Sequence, residues 1–402
     1  MILKETLRSI VKSQMDELLQ LDQGIERDKL AEIELNKSFA TVISGVRRCG
    51  KSTLLRQLMK KIKGFHYFNF EDPRAMYFEA NDFQKLNDVF KEEYGNFEHY
   101  FFDEIQNAQK WELFVRALLD RGKYAVITGS NASLLSRELG TRLTGRHITY
   151  ELLPFSFGEF LELKNKKAAK SHFQEYFAKG GFPEYLKYGK AEILHELLSD
   201  ILARDIAVRH NIRNTKTLRE MALYMIANVG KEFSYNSLKR TFSLGSTNTA
   251  IDFISYFEDS YLLFTVPKFD YSLKKQLINP KKIYSIDNGL SYVNSASFSE
   301  DKGKMLENMA FLNLRKNSKE IFYFKGKNEC DFLVKEGTKI KQALQVCYEL
   351  NEDNKARETN GLLEAMEKFN LKQGLIITFG QDDEFEIKGR KITVEPAWKR
   401  LK

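Results

Sequence analysis

Eight consecutive residues, Gly45-Val46-Arg47-Arg48-Cys49-Gly50-Lys51-Ser52, constrain this chain more than any other stretch, because they match the phosphate-binding pattern G-x-x-x-x-G-K-[ST] at every fixed position. An apolar run, Phe39 to Ile43, leads in, and a helical pattern, Thr53 to Ile62, leads out. Strand, glycine loop and helix in that order present the unpaired N–H groups and the positive dipole end of the helix to an anion. Gly45 and Gly50 let the backbone turn tightly and aim its N–H groups inward. Nucleotide contacts are therefore expected from Gly45 through Thr53, with Lys51 on the β- and γ-phosphates and the Ser52 hydroxyl on Mg²⁺.

A phosphate loop needs an acidic partner. Tyr100-Phe101-Phe102-Asp103-Glu104 is an apolar strand closing on two carboxylates, which a buried strand does not accommodate unless a cation meets them. Asp103 is expected to hold Mg²⁺ through water and Glu104 to act as the general base on the attacking water. The competing reading is a pair of exposed acids capping the next helix. Lys123 to Thr128 reads as the following strand and leads into Gly129-Ser130-Asn131. Asn131 or Ser130 at that strand end is placed to contact the γ-phosphate or the lytic water, or equally to cap the next helix. Of the arginine series Arg137, Arg142 and Arg146, Arg146 is the first choice to neutralise transition-state charge, in cis or from a neighbouring subunit, which would require an oligomer.

Taken together, Gly45-Val-Arg-Arg-Cys-Gly-Lys-Ser, Phe102-Asp-Glu-Ile-Gln and Thr128-Gly-Ser-Asn resemble a prokaryotic family of AAA+-like P-loop ATPases. In that family the ATPase is fused to a C-terminal domain of unknown function. Gly145-Arg146, Leu153-Pro154-Phe155-Ser156 and Gly180-Gly181-Phe182-Pro183-Glu184-Tyr185 look like further landmarks of it. The resemblance implies an α/β core with a five-stranded parallel sheet whose extra strand lies between the Walker A and Walker B strands. It also implies that ATP is the nucleotide, that Glu104 is the catalytic carboxylate and that Asn131 is the first sensor.

At 402 residues the chain is too long for one core. Residues 1–152 read as N-terminal helices (Leu3 to Leu21 and Arg27 to Leu35) plus the ATPase core, and 153–213 as a helical lid in which Arg204 is either a second sensor or a partner of a helix aspartate. Residues 214–290 carry three helical patterns, with Ser234 and Ser246 as N-caps, and two strand-like pieces joined by a polar Asp270–Lys275 stretch. That order describes a winged helix, with Lys274 and Lys275 on the wing as candidate contacts to double-stranded DNA. Between Arg213 and Ser285 there are eleven basic and six acidic side chains, a surplus of five that permits either DNA contact or use of the module to dock a protein partner.

In residues 291–402 the order helix, strand, strand, strand, helix, strand resembles the PD-(D/E)XK nuclease fold. Glu307, Asp331 and Gln345 fall at the positions of its metal-binding acids, but its lysine position is Cys347. A restriction-endonuclease-like domain without cleavage activity is therefore expected. No apolar run approaches the ~18–20 residues that span a bilayer, so no membrane partner is expected. Cys49, Cys330 and Cys347 are scattered without zinc or disulfide spacing, and a cytoplasmic location is expected. The net charge of +8, 63 basic against 55 acidic side chains, allows nucleic-acid contact without requiring it.

Overall fold

Ala-Thr-Val-Ile-Ser forms strand β1 (Ala40–Ser44) with all its residues buried, the burial of a strand covered on both faces. In the computed structural model, which describes residues 1–130, 145–295 and 301–402, β1 lies within a five-stranded sheet. The other strands are β2 (Phe65–Asn69), β3 (His99–Asp103), β4 (Tyr124–Gly129) and β5 (His147–Glu151), all parallel, in the order β2-β3-β4-β1-β5. The extra strand β4 thus separates the strand entering the phosphate loop from the strand ending at Asp103, as the α/β expectation required. In open parallel sheets ligands collect beyond the C-terminal strand ends. Here those ends carry Gly45, Glu104 and Ser130.

This sheet belongs to the first of two compact units, Met1–Leu153. Its aromatic core joins Phe68, Phe70, Phe78, Phe83 and Phe102, with Phe78 and Phe83 ring centroids 4.8 Å apart. The helix Lys4–Gln20 buries Leu7, Ile10, Val11, Met15 and Leu18, and its Gln14 bonds Asn69 at the end of β2 through both backbone groups, N–H to Oε1 at 2.9 Å and Nε2–H to the carbonyl at 3.0 Å. The second N-terminal helix expected from Arg27 to Leu35 is only a 3₁₀ turn, Asp28–Ala31. Leu30 is its one buried apolar residue, so no apolar stripe rewards a longer helix.

In the second unit, Pro154–Lys402, helices Phe157–Lys164, Lys170–Lys179, Pro183–Tyr188 and Glu192–Asp200 come first, the last continuing as a π-helical segment, Ile201–Val208. Ser156 and Glu159 close a capping box at the first. The Gly180-Gly181 break is held by buried Asp287, which accepts the Gly181 N–H at 2.6 Å and the Leu290 N–H at 2.8 Å.

Helices Thr215–Ala227, Tyr235–Thr241 and Thr247–Asp259 follow, with Ser234 and Ser246 capping the second and third. They accompany a small antiparallel sheet, β6 (Glu232–Phe233), β7 (Leu263–Pro267) and β8 (Lys281–Ser285), in the order β6-β8-β7. The polar wing expected between β7 and β8 is instead a short helix, Leu273–Ile278. Asp270 organises its start, accepting the Ser272 N–H at 2.8 Å, while the Asp270 carbonyl takes Gln276 Nε2 at 2.5 Å.

The remaining sheet has β9 (Ile321–Lys325), β10 (Glu329–Glu336), β11 (Lys339–Val346), β12 (Gln373–Thr378), β13 (Asp383–Ile387) and β14 (Arg390–Pro396), in the order β13-β14-β12-β11-β10-β9. Helices Lys302–Asn317 and Glu352–Lys368 accompany it. β12 is the last strand of the expected order, but the sheet does not end there. The β13–β14 hairpin extends it, through a Lys388-Gly389 turn with φ of 53° and 71°. Two adjacent left-handed residues mark a type I′ turn, and without an Asn or Asp before the glycine the sequence hides it.

Candidate nucleotide site

The loop after β1 is closely packed at both of its fixed glycines. A Cβ on Gly45 would lie 2.2 Å from the Leu152 carbonyl oxygen, and Gly50, at φ 97°, faces an Arg27 guanidinium nitrogen at 2.8 Å from such a Cβ. Only glycine fits either position. Val46 and Cys49 are buried, the Cys49 thiol donating to the Leu152 carbonyl at 3.4 Å. Arg48 has a left-handed backbone, φ 61°. Arg47 reaches Glu71 at 3.4 Å, and Thr53 Oγ1 accepts from Arg56 at 3.2 Å.

Lys51 and Ser52 open the helix Lys51–Lys60, which buries Leu54, Leu55, Leu58 and Met59 against the sheet and so fixes the loop's exit. The Lys51 ammonium is buried between the Val46 carbonyl at 3.3 Å and Glu104 Oε1 at 3.5 Å. Ser52 is exposed, and its hydroxyl bonds the Asp103 carboxylate.

Register brings the acidic pair to the same place. β3 is parallel to β4, so Thr128 stands beside the strand end. Its hydroxyl donates to Asp103 Oδ1 and accepts the Glu104 N–H at 2.9 Å. Burial, reinforced by the Glu104 charge, raises the Asp103 carboxyl above the usual carboxylate range. Glu104 goes the other way: burial opposes ionisation, but Lys51, the Gln106 amide and Arg47 together hold it below that range. Gln106 donates to Glu104 Oε2, leaving Oε1 toward Lys51. Glu104 has φ 48° and ψ 47°, a left-handed conformation costing a non-glycine residue on the order of 1–3 kcal/mol. Such strain collects where a side chain must be aimed. Next to this pair, Ser130 at the end of β4 is buried, and its hydroxyl has no hydrogen-bond partner among the described residues. An orphaned buried hydroxyl beside a phosphate loop, an exposed Ser52 and a fully formed glycine cradle fit a Mg²⁺–nucleotide.

Three contributors escaped the sequence reading. Gln106 and Thr128 lie in quoted motifs, and only the geometry shows that they hold Glu104 and Asp103. The third is Arg27, 2% exposed, which donates to the Cys49 carbonyl at 2.6 Å and the Leu153 carbonyl at 2.8 Å. Its sequence separation from both partners left no signal.

Other expected positions are elsewhere. Arg146 stands at the opposite end of the sheet from the loop. Its carbonyl takes the Ala40 N–H at the start of β1, and its guanidinium bonds the Ser38 carbonyl at 3.2 Å and Asp120 at 2.5 Å. Five residues of β1 separate it from the loop, about 13–16 Å at ~3.3 Å per residue, with the side chain directed away. A charge-neutralising role for Arg146 in cis is therefore corrected. Asn131, like Arg137 and Arg142, lies outside the described residues. Arg204 is exposed and pairs with Asp200 at 3.5 Å on its own helical segment. Lys274 and Lys275 sit on the Leu273–Ile278 helix, Lys275 at 3.9 Å from Asp270, beside exposed Tyr271, Leu273, Leu277 and Ile278.

Glu307, Asp331 and Gln345 do come together, lining a cleft of about 780 Å³ with Lys304, Glu329, Cys347, Arg357 and Glu358. Cys347 supplies no cation, but two lysines do from other elements: Lys282 on β8 and Lys304 on the helix Lys302–Asn317. Among the described residues no group of three or more His, Cys, Asp or Glu is arranged to hold a metal ion, and no helix is long and apolar enough to cross a membrane.

An AAA domain profile matches residues 37–161, and a domain of unknown function matches residues 170–300. The chain is 37% identical to the uncharacterized protein MJ1544 of Methanocaldococcus jannaschii, covering 95% of this chain and 92% of that protein. It is 30% identical to an uncharacterized protein of Haemophilus influenzae, covering 90% and 94% respectively. Among solved structures, AMPPCP-bound DnaA from Aquifex aeolicus aligns over 64% of this chain and 89% of its own at 14% identity, with a TM-score of 0.27, too low for any likeness to be drawn from it.

Proposed function

The chain belongs to the family that contains MJ1544 of Methanocaldococcus jannaschii, and from that premise we propose that it is a Mg²⁺-dependent ATPase whose nucleotide cycle drives its winged-helix and nuclease-like C-terminal half, in transactions on double-stranded DNA. One observation carries the hydrolytic part. Lys51 and Ser52 of the phosphate loop already touch Glu104 and Asp103, the loop lysine on the base and the loop hydroxyl on the metal-side carboxylate.

Ser52 and Asp103 would hold Mg²⁺, which when bound supplies charge neutralisation across the phosphate oxygens. Lys51 binds the β- and γ-phosphates, and in doing so gives up its contact with Glu104 Oε1. That oxygen is then free to take the proton of the attacking water, with the Gln106 amide and Arg47 still favouring the ionised carboxylate. Gln106 holds Glu104 Oε2 and fixes which oxygen faces the water. The Ser130 hydroxyl is available to orient the water or the γ-phosphate.

A second reading keeps the ATPase but replaces DNA with a protein partner. It is favoured by the surface around Lys274 and Lys275, where Tyr271, Leu273, Leu277 and Ile278 are each more than 60% exposed. Apolar side chains of that size suit a protein surface better than phosphates.

Steady-state hydrolysis by wild type and Glu104→Gln, with and without duplex DNA, tests both. The proposal expects turnover in wild type to fall at least a hundredfold in the variant while ATP binding is kept. Stimulation by DNA supports the first reading, and indifference to DNA moves the assignment to the second. Equal turnover in variant and wild type would overturn the hydrolytic role of Glu104.

A further inference from the structure

The Glu307–Asp331 cluster resembles a nuclease metal site, and its residues do not fit a metal. Every oxygen expected to face the ion is already engaged. Glu307 Oε1 accepts from Lys282 Nζ at 2.9 Å and from the Tyr284 hydroxyl at 2.7 Å, and its Oε2 accepts from Lys304 Nζ at 2.6 Å. Asp331 Oδ1 accepts from Lys282 Nζ at 2.8 Å, and Oδ2 from the Val346 N–H at 3.0 Å. Gln345 turns its oxygen onto the Asp331 N–H at 3.2 Å and its amide nitrogen onto Glu358 at 2.7 Å. Glu329 Oε1 is 2.7 Å from the same Lys282 ammonium.

Three carboxylates from two elements therefore converge on one point, and the point is an ammonium. Lys282 is 1% exposed, and its ammonium donates to Glu307 and Asp331 and pairs with Glu329 at 2.7 Å, so three carboxylates surround it. A buried lysine usually sheds its charge. Here burial is outweighed by Asp331, Tyr284, Glu307 and Glu329, and the group stays protonated well above its ordinary range.

We infer that the Lys282 ammonium is the resident cation of this cluster, standing where a divalent metal would stand and closing the site to one. β8 delivers it from the three-stranded sheet, so the same contact ties that sheet to the helix that carries Glu307, Lys302–Asn317, and to β10. The site is a charge lock rather than a metal centre. Removing the ammonium leaves three inward-facing carboxylates, the donor set that a hard divalent cation takes.

Mn²⁺ titration of nucleotide-free protein, followed by electron paramagnetic resonance, tests the inference. Wild type should bind no Mn²⁺ at this cluster, so that adding Asp331→Asn to wild type changes nothing. Lys282→Met and Lys282→Gln should each gain one equivalent of Mn²⁺ at least tenfold tighter than any wild-type site, and the gain should vanish in Lys282→Met/Asp331→Asn. A wild-type site abolished by Asp331→Asn, or folded Lys282 variants that gain no Mn²⁺, would overturn it. Should the variants not fold, reductive methylation of the wild type decides. Lys282 should remain unmodified while Lys304 reacts, with or without Mn²⁺. Modification of Lys282 at the rate of exposed lysines would overturn the inference.

Discussion

Replacing Arg27 with alanine should weaken nucleotide binding although Arg27 is nowhere near the loop in sequence. Its guanidinium is buried and holds the Cys49 carbonyl, inside the phosphate loop, to the Leu153 carbonyl at the edge of the sheet. A hydrogen bond from a charged donor contributes about 1.5–3 kcal/mol, so the two together hold the loop by roughly 3–6 kcal/mol. Part of that loss is recovered as the freed carbonyls find water through the space that the side chain leaves. If about half is expressed in binding, affinity falls by on the order of 10- to 100-fold, at ~1.4 kcal/mol per decade. Lysine can replace one bond but not the fork, so Arg27→Lys should lie between alanine and wild type. Titration with a fluorescent ATP analogue gives the affinities, and hydrogen exchange over residues 45–53 shows whether loop amides open. Alanine and lysine variants that both bind within twofold of wild type, with unchanged exchange, would refute the view that Arg27 holds the loop.

Changing Lys274 and Lys275 to glutamate should, under the DNA reading, weaken duplex binding and reduce the slope of log K against log salt by about 2, at ~0.9 per phosphate contact; unchanged affinity would remove the DNA role of this helix. Asp287 offers a pH test. Burial, opposed by the N–H groups of Gly181, Leu290 and Gly289, pushes its carboxyl up to about 7, against about 3.9 in an unfolded chain. The native chain thus keeps a proton that the unfolded chain has lost, so this stabilising contribution is full below about pH 4 and declines until about pH 7. Asp287→Asn should flatten the fall in thermal midpoint between about pH 4 and pH 7; an equally steep fall would place the titrating group elsewhere.

Much of the fold was legible because its signals are local. The phosphate loop, the strand closing on Asp103-Glu104 and the caps Ser234 and Ser246 each rest on residues within a few positions of one another, and the structure places all of them as elements of the expected type. The errors occur where local pattern is indifferent. Asp270 to Lys275 is polar enough for a loop, yet Asp270 and Gln276 nucleate a helix there. Lys388-Gly389 turns a hairpin without a marked turn signature, so two strands at the sheet's edge went unread.

The site's electrostatics were legible only in part, and for one reason. A charged side chain reaches its partner across space, and no periodicity records the meeting. Arg27 meets Leu153 over 126 residues, and Lys282 meets Asp331 over 49. Arg146 shows the reverse case: a well-placed arginine in the chain order lies at the wrong end of a parallel strand, because β5 runs beside β1 from the end remote from the loop. The same logic governs Cys347. Reading that position alone implies a site stripped of its cation. The folded chain instead carries the positive charge in from β8 and from the turn before Glu307, and the acids remain because they have something to hold. Truncating Lys282 should accordingly destabilise the second unit more than truncating Cys347, since the first leaves carboxylates buried without their partner, at about 3–5 kcal/mol, and the second removes only a thiol.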